Sequence, residues 1–128
     1  MPHLSVHSIK YFLLAVIWTT IVTYFCLKER LLLPSGLPKY ADKIGHAIFH
    51  FGIVGFWFLA LKPIYKSLAV EKLLYRCIFI SVFFGLIIES CQAFFTETRS
   101  ADWQDVAANC VGTVLAALIL LIAVDKQY

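Results

Sequence analysis

Charged residues are scarce in this sequence: Asp, Glu, Lys and Arg together fill 15% of its 128 positions. A water-soluble domain of this length needs far more polar surface, so the scarcity excludes an ordinary soluble protein. The basic residues are scattered rather than clustered, which argues against a nucleic-acid partner. Hydrophobic residues make up 61% and the mean hydropathy is +0.82. These values predict an integral membrane protein whose main partner is the lipid bilayer.

Motifs for cofactors and covalent catalysis are also missing. The four cysteines have no C-x-x-C spacing and lie in or beside apolar stretches, which favours buried, reduced thiols. There is no glycine-rich phosphate loop, and no serine or cysteine has an obvious base and orienting group in the sequence. We therefore predict no cofactor, and the sequence leaves open whether the protein is an enzyme.

Four apolar stretches are long enough to cross a bilayer as helices. They cover about residues 11–27, 44–61, 77–95 and 105–124. Pro34 and Pro38 separate the first two, and Pro63 ends the second. No small-residue cleavage site follows the first stretch, so we interpret it as a retained anchor. The mixed segment 65–76 is predicted to be an interfacial connection. The chain is expected to form one all-α domain over residues 1–128, a bundle of four transmembrane helices.

The distribution of basic residues predicts the orientation. Four spans place both termini on one side of the membrane, which carries six Lys and Arg against five on the other. Two of those five, Lys43 and Arg99, belong to the polar site described next. Setting them aside leaves six against three. The positive-inside rule then predicts cytoplasmic termini.

Polar residues recur at helical spacing in three of the spans. They share one face on each: Asp42, His46 and His50 on the second, Gly85, Glu89 and Gln92 on the third, and Asp105, Asn109 and Gly112 on the fourth. A charge in hydrocarbon costs roughly 2.5–3.5 kcal/mol on insertion scales, so Glu89 must be protonated, paired or facing water. Lys43, Arg99 and the histidines are candidate partners. The two glycines would let the helices approach closely.

We therefore predict that the three polar stripes meet at one level, near the extracytoplasmic face, where acids and bases neutralise one another. The predicted site is formed by Asp42, Lys43, His46, Glu89, Gln92, Arg99, Asp102, Asp105 and Asn109.

These residues also have structural interpretations. The aspartates can act as helix caps, and Asn109 can hold helices together through hydrogen bonds. His46 and His50 have the spacing of two-histidine zinc helices, but Ala47 follows His46 where such helices carry glutamate. We predict no metal site. The alternative is a metal site formed by His46, His50, Glu89 and Asp105.

The same residues resemble the VanZ-like family of bacterial membrane proteins. The motifs are Asp42-Lys43-x-x-His46, Glu89-x-x-Gln92, Arg99, and Asp102-x-x-Asp105-x-x-x-Asn109-x-x-Gly112. The resemblance covers about two-thirds of the chain, from Asp42 to the C-terminus. The family often has Pro or Gly just before the arginine, where this chain has Glu97-Thr98. The family's name comes from a member linked to low-level teicoplanin resistance. The resemblance implies a multi-pass protein of the bacterial inner membrane with a cell-envelope role, and no defined reaction.

Three functions are compatible with these features. The first is an envelope-associated protein whose polar site binds a lipid headgroup or a cell-wall-related ligand. The second is an intramembrane enzyme acting on a lipid or lipid-linked substrate. In that case Glu89 or His46 would be the general acid or base, and Lys43 and Arg99 would hold an anionic group. The third is a structural or assembly-partner protein in which the polar residues fix helix registry. The sequence leaves the oligomeric state open.

Overall fold

Four helices form the part of the chain that the computed structural model describes, residues 6–28, 40–97 and 100–125. Their bounds are α1 Val6–Leu27, α2 Ala41–Leu61, α3 Val70–Phe95 and α4 Trp103–Asp125. All four are long and apolar enough to cross a membrane, and the described residues include no strand. This confirms the predicted all-α fold of a multi-pass membrane protein with four transmembrane helices.

Helix α3 begins at Val70, seven residues before the predicted start at Cys77. Most of the segment predicted as an interfacial connection is therefore helical, and that part of the prediction needs correction. The reason is that Leu73 and Leu74 are buried in the bundle, whereas Lys72 and Arg76 are exposed. The basic residues lie on the outer face of a helix whose inner face is apolar, so they do not mark its end.

The core contains two apolar clusters. One lies among α2, α3 and α4 and is built around Val54, Phe58, Leu73 and Leu74. The other joins α1 to α2 and α3 through Val22, Cys26, Ile53 and Ile88. Large apolar side chains elsewhere on the bundle point outward, as expected for a surface solvated by lipid.

Hydrogen bonds fix α1 against α2. The indole Nε1 of Trp18 donates to the carbonyl oxygen of Phe49 at 2.9 Å, and that of Trp57 donates to the hydroxyl of Thr19 at 3.0 Å. Gly52 lies directly under Trp18, because a Cβ at this position would be 2.4 Å from the indole ring. These contacts hold α1 on the outside of the α2–α4 pair.

Helices α2 and α4 come into close contact at Gly112. A Cβ on this glycine would lie 1.9 Å from the carbonyl oxygen of Ala47, so the two backbones are in direct contact. Ala47 follows His46, and Gly112 lies three residues after Asn109. This crossing therefore sets the distance between the polar faces of the two helices.

Candidate polar site among helices α2, α3 and α4

Lys43 is the centre of an ion-pair cluster at the N-terminal ends of α2 and α4. Its ammonium Nζ lies 2.5 Å from Asp102 Oδ2 and is also hydrogen-bonded to Asp105 Oδ1. Asp42 Oδ2 is 3.9 Å away. The lysine thus joins the first turn of α2 to the start of α4. Both helices begin here, and their positive N-terminal ends favour the surrounding carboxylates.

Asp102 has two functions in this cluster. The backbone N–H of Gln104 donates to Asp102 Oδ1 at 2.9 Å, which is an N-cap contact at the start of α4. The other carboxylate oxygen accepts from Lys43. Asp102 is therefore both a cap and a member of an ion pair, whereas the side chain of Asp105 points to Lys43 and His46.

His46 is buried between Asp105 and Asn109. Its Nδ1 is 3.1 Å from Asn109 Oδ1, and its Nε2 is 3.6 Å from Asp105 Oδ2. A carbonyl oxygen only accepts, so Nδ1–H is the donor in the first contact. In the neutral ring, Nε2 then carries a lone pair that points toward a carboxylate oxygen. Nε2 and Asp105 Oδ2 are therefore two potential acceptor atoms that face each other at 3.6 Å.

Glu89 is the contribution of α3 to the site and is 4% exposed. Its Oε2 accepts the backbone N–H of Asp102 at 3.2 Å. Its Oε1 is buried and has no hydrogen-bond partner among the described residues. The carboxyl group is close enough to interact electrostatically with Asp105, His46 and Asp102. Buried polar atoms without a hydrogen-bond partner are rare in folded proteins, so this oxygen distinguishes Glu89 from the other acids of the cluster.

His50 belongs to a second polar group deeper in the bundle. Its Nδ1 is 2.8 Å from the Ser81 hydroxyl, which is 2.8 Å from the Thr113 hydroxyl. All three side chains are buried. Ser81 and Thr113 were missed in the sequence analysis. Their spacing could have revealed them, because they extend the same four-residue steps that link Gly85 to Glu89 and Asp105 to Asn109.

One predicted site residue, Gln92, contacts α1. Gln92 donates from its amide Nε2 to the carbonyl oxygen of Cys26 at 2.7 Å, so its side chain is directed at α1. That carbonyl belongs to the last turn of α1. Gln92 therefore attaches α1 to α3. Arg99 lies outside the described residues. The other seven predicted residues lie on α2, α3 and α4 or, for Asp102, at the start of α4.

The pKa of Asp102 is expected to respond to Lys43. The hydrogen bond from Lys43 holds this pKa below its ordinary value of 3.8, and the N–H of Gln104 acts in the same direction. The stabilisation from a lowered carboxyl pKa is present above pH 3.8 and is lost as the pH falls through the folded-state value. A carboxyl-carbon NMR titration in micelles should therefore give an Asp102 midpoint below 3.8. The midpoint should rise in Lys43→Gln. A midpoint at or above 3.8 in the unmodified protein would contradict the ion pair.

Comparison with known proteins gives one match. A family model described as VanZ/LLP1 matches residues 4–124, which include all of α1, α2 and α3 and all but the last residue of α4. No curated protein and no solved structure matches the chain.

Proposed function

This chain belongs to the VanZ/LLP1 family, and we propose that its polar site binds the polar group of a membrane lipid or of a cell-wall-related ligand. The observation that carries this proposal is the buried carboxylate of Glu89 beside the Lys43 ion pairs, with one oxygen unsatisfied. Burying ionisable groups in a membrane protein is costly, so they are retained mainly where they bind or transfer something.

We propose that the site faces the extracytoplasmic side of the bacterial inner membrane. Helices α2 and α4 both begin at the end of the bundle that carries the site. Helix α1 begins and α4 ends at the opposite end of the bundle. The sequence assigns the larger number of basic residues to that side, which supports cytoplasmic termini. A site in this position would be reached by envelope ligands from outside the cell.

The family resemblance supports an envelope role, and teicoplanin susceptibility is the first phenotype to test. In a bacterial strain that depends on this protein for tolerance, Glu89→Gln should abolish the tolerance. The reason is that glutamine retains the size of the side chain but removes the carboxyl group that a ligand would meet. The measurement is the minimum inhibitory concentration of teicoplanin, with membrane levels of both proteins quantified.

Glu71→Gln is the matched control. Glu71 lies in the first turn of the same helix, is exposed, and is at the opposite end from the site. It should leave the inhibitory concentration unchanged. If Glu89→Gln reaches normal membrane levels and every envelope phenotype matches that of Glu71→Gln, the proposed role of the site fails.

The position of Glu89 beside His46 favours intramembrane catalysis as a second candidate function. A carboxyl group in an apolar setting and a histidine within electrostatic reach are suited to proton transfer on a lipid or lipid-linked substrate. The engagement of Lys43 by two aspartates leaves it poorly placed to hold an anionic group. Purified protein should then turn over a polyprenyl or phospholipid substrate, and Glu89→Gln should not. Absence of turnover across both substrate classes would exclude this candidate.

A further inference from the structure

Three side chains from α2 and α4 present donor atoms to one point beside the Lys43 cluster. They are Asp42, His46 and Asp105, and their donor atoms all lie within 4.8 Å of one another. Two are carboxylates and one is an imidazole, a donor set that suits divalent transition-metal ions such as Zn²⁺. We propose that Asp42, His46 and Asp105 bind a divalent metal ion at the membrane face.

The orientation of His46 supports this assignment. Metal-binding histidines usually donate their other ring N–H to an oxygen, which fixes the tautomer and turns the unprotonated nitrogen toward the metal. Here Nδ1 is bonded to Asn109 Oδ1 at 3.1 Å, and Nε2 points to Asp105. Asn109 is thus the residue that positions the ligand nitrogen. The metal ion would replace the unfavourable contact between the Nε2 lone pair and the carboxylate.

The carboxylate of Asp105 uses its two oxygens differently. Oδ1 is bonded to Lys43, whereas Oδ2 faces His46. The lysine therefore holds the carboxylate from one side and leaves the other oxygen directed at the proposed metal position. Lys43 therefore orients a proposed ligand through the oxygen that does not face His46.

The charge of the site favours a divalent ion. The described residues of the site include four carboxylates, Asp42, Glu89, Asp102 and Asp105, and one lysine. Among the described residues, carboxyl groups outnumber the single ammonium around Lys43, and a bound divalent cation is favoured where carboxylates are in excess. The buried Glu89 carboxyl reaches the same cluster through Oε2, which accepts the backbone N–H of Asp102, and its Oε1 has no hydrogen-bond partner among the described residues.

His50 is excluded from the metal set by its contacts. It is bonded to Ser81, which continues to Thr113, so it lies in the deeper polar group. The four-residue set considered from the sequence alone is therefore replaced by one that keeps His46 and Asp105 and adds Asp42. This difference also supplies a control, because the two histidines lie on one helix and are both buried.

The test measures metal binding without any envelope phenotype, so the metal proposal and the proposed function can fail separately. The full chain, with any histidine tag removed, is purified in detergent, loaded with Zn²⁺, desalted and analysed for zinc by mass spectrometry. One ion per chain is expected. His46→Gln and Asp42→Asn should weaken Zn²⁺ binding by at least about tenfold in a chelator competition. Asn109→Ala should weaken it by about 10–100-fold, the usual effect of losing a group that orients a ligand.

His50→Gln should bind Zn²⁺ as the unmodified chain does. Equal loss in His50→Gln and His46→Gln, or a zinc content near zero in the unmodified protein, would overturn the proposal. If His46→Gln does not fold, the Zn²⁺ affinity of Asp42→Asn decides whether the proposal stands. Asp42 is partly exposed in the first turn of α2, where no side-chain cap is formed. Co²⁺ binding provides a second measurement: d–d bands are expected without thiolate charge-transfer bands. Thiolate charge-transfer bands would show that a cysteine binds the ion and would contradict the proposed site.

Discussion

Replacing Gly112 with alanine is expected to destabilise the bundle strongly. The added methyl group would lie 1.9 Å from the carbonyl oxygen of Ala47 and 2.7 Å from its carbonyl carbon. Both are backbone atoms of α2, so no change of rotamer relieves the clash and the two helices must separate. Overpacking of a well-packed interior typically costs about 1–3 kcal/mol, and a backbone clash belongs at or above the upper end.

The consequence of that separation reaches the polar site. Asn109 lies one turn before Gly112 and is bonded to His46, the residue that precedes Ala47. Helices pushed apart at this crossing lose the His46–Asn109 hydrogen bond and weaken the ion pairs of Lys43. We therefore expect little monodisperse Gly112→Ala protein in size-exclusion chromatography, and a clearly lower midpoint of thermal unfolding in whatever is recovered.

Gly55→Ala is the matched control, because a Cβ at Gly55 would meet no atom within 4 Å. Gly55 lies inside α2, where alanine is the better helix former by up to about 1 kcal/mol. This variant should be as stable as the unmodified protein or more so. Equal unfolding midpoints for Gly112→Ala and Gly55→Ala would show that the close approach of α2 and α4 does not hold the bundle together.

Which residues share a helical face could be predicted from the sequence, because that depends on periodicity alone. Steps of three and four residues placed Asp42 with His46, and Asp105 with Asn109, on common faces. The close approach at Gly112 was also expected, because glycine has no side chain to keep two helices apart. The number and nature of the spans followed from the apolar runs, whose lengths leave little choice in a membrane.

The pairing of individual side chains could not be predicted, because periodicity does not give the rotation of one helix relative to another. Gln92 shares a face with Glu89, yet its longer reach and position nearer the helix end bring it to the carbonyl oxygen of Cys26. His50 shares a face with His46, yet it lies one turn deeper and meets Ser81. Several acidic residues of the sequence could have paired with Lys43. Its two short contacts follow from where α4 begins relative to α2.

Loss of the Lys43 ammonium is the second change with a large expected effect. In Lys43→Gln, the buried carboxylate of Asp105 loses its closest cation, and Asp102 loses its partner as well. Asp105 has a side-chain exposure of 8%. Removing one partner of a buried ion pair costs about 3–5 kcal/mol, and the 22% exposure of Lys43 places this pair near the lower value. The unfolding free energy in mixed micelles should fall by about 3 kcal/mol, whereas Lys72→Gln on the exposed side of α3 should change it by less than about 0.5 kcal/mol.

A double-mutant cycle separates the pair from its surroundings. Lys43→Gln with Asp105→Asn replaces the ion pair by two amides, so the double variant should be more stable than the sum of the single effects predicts. The expected coupling is within about 0.5–3 kcal/mol, the range for residues in contact. A coupling near zero would contradict the ion pair.

The same double variant also tests function. If it is stable and retains its envelope phenotype, the Lys43–Asp105 pair serves to fix helix registry. If the double variant is stable but has lost its envelope phenotype, the charges of Lys43 and Asp105 are needed for function.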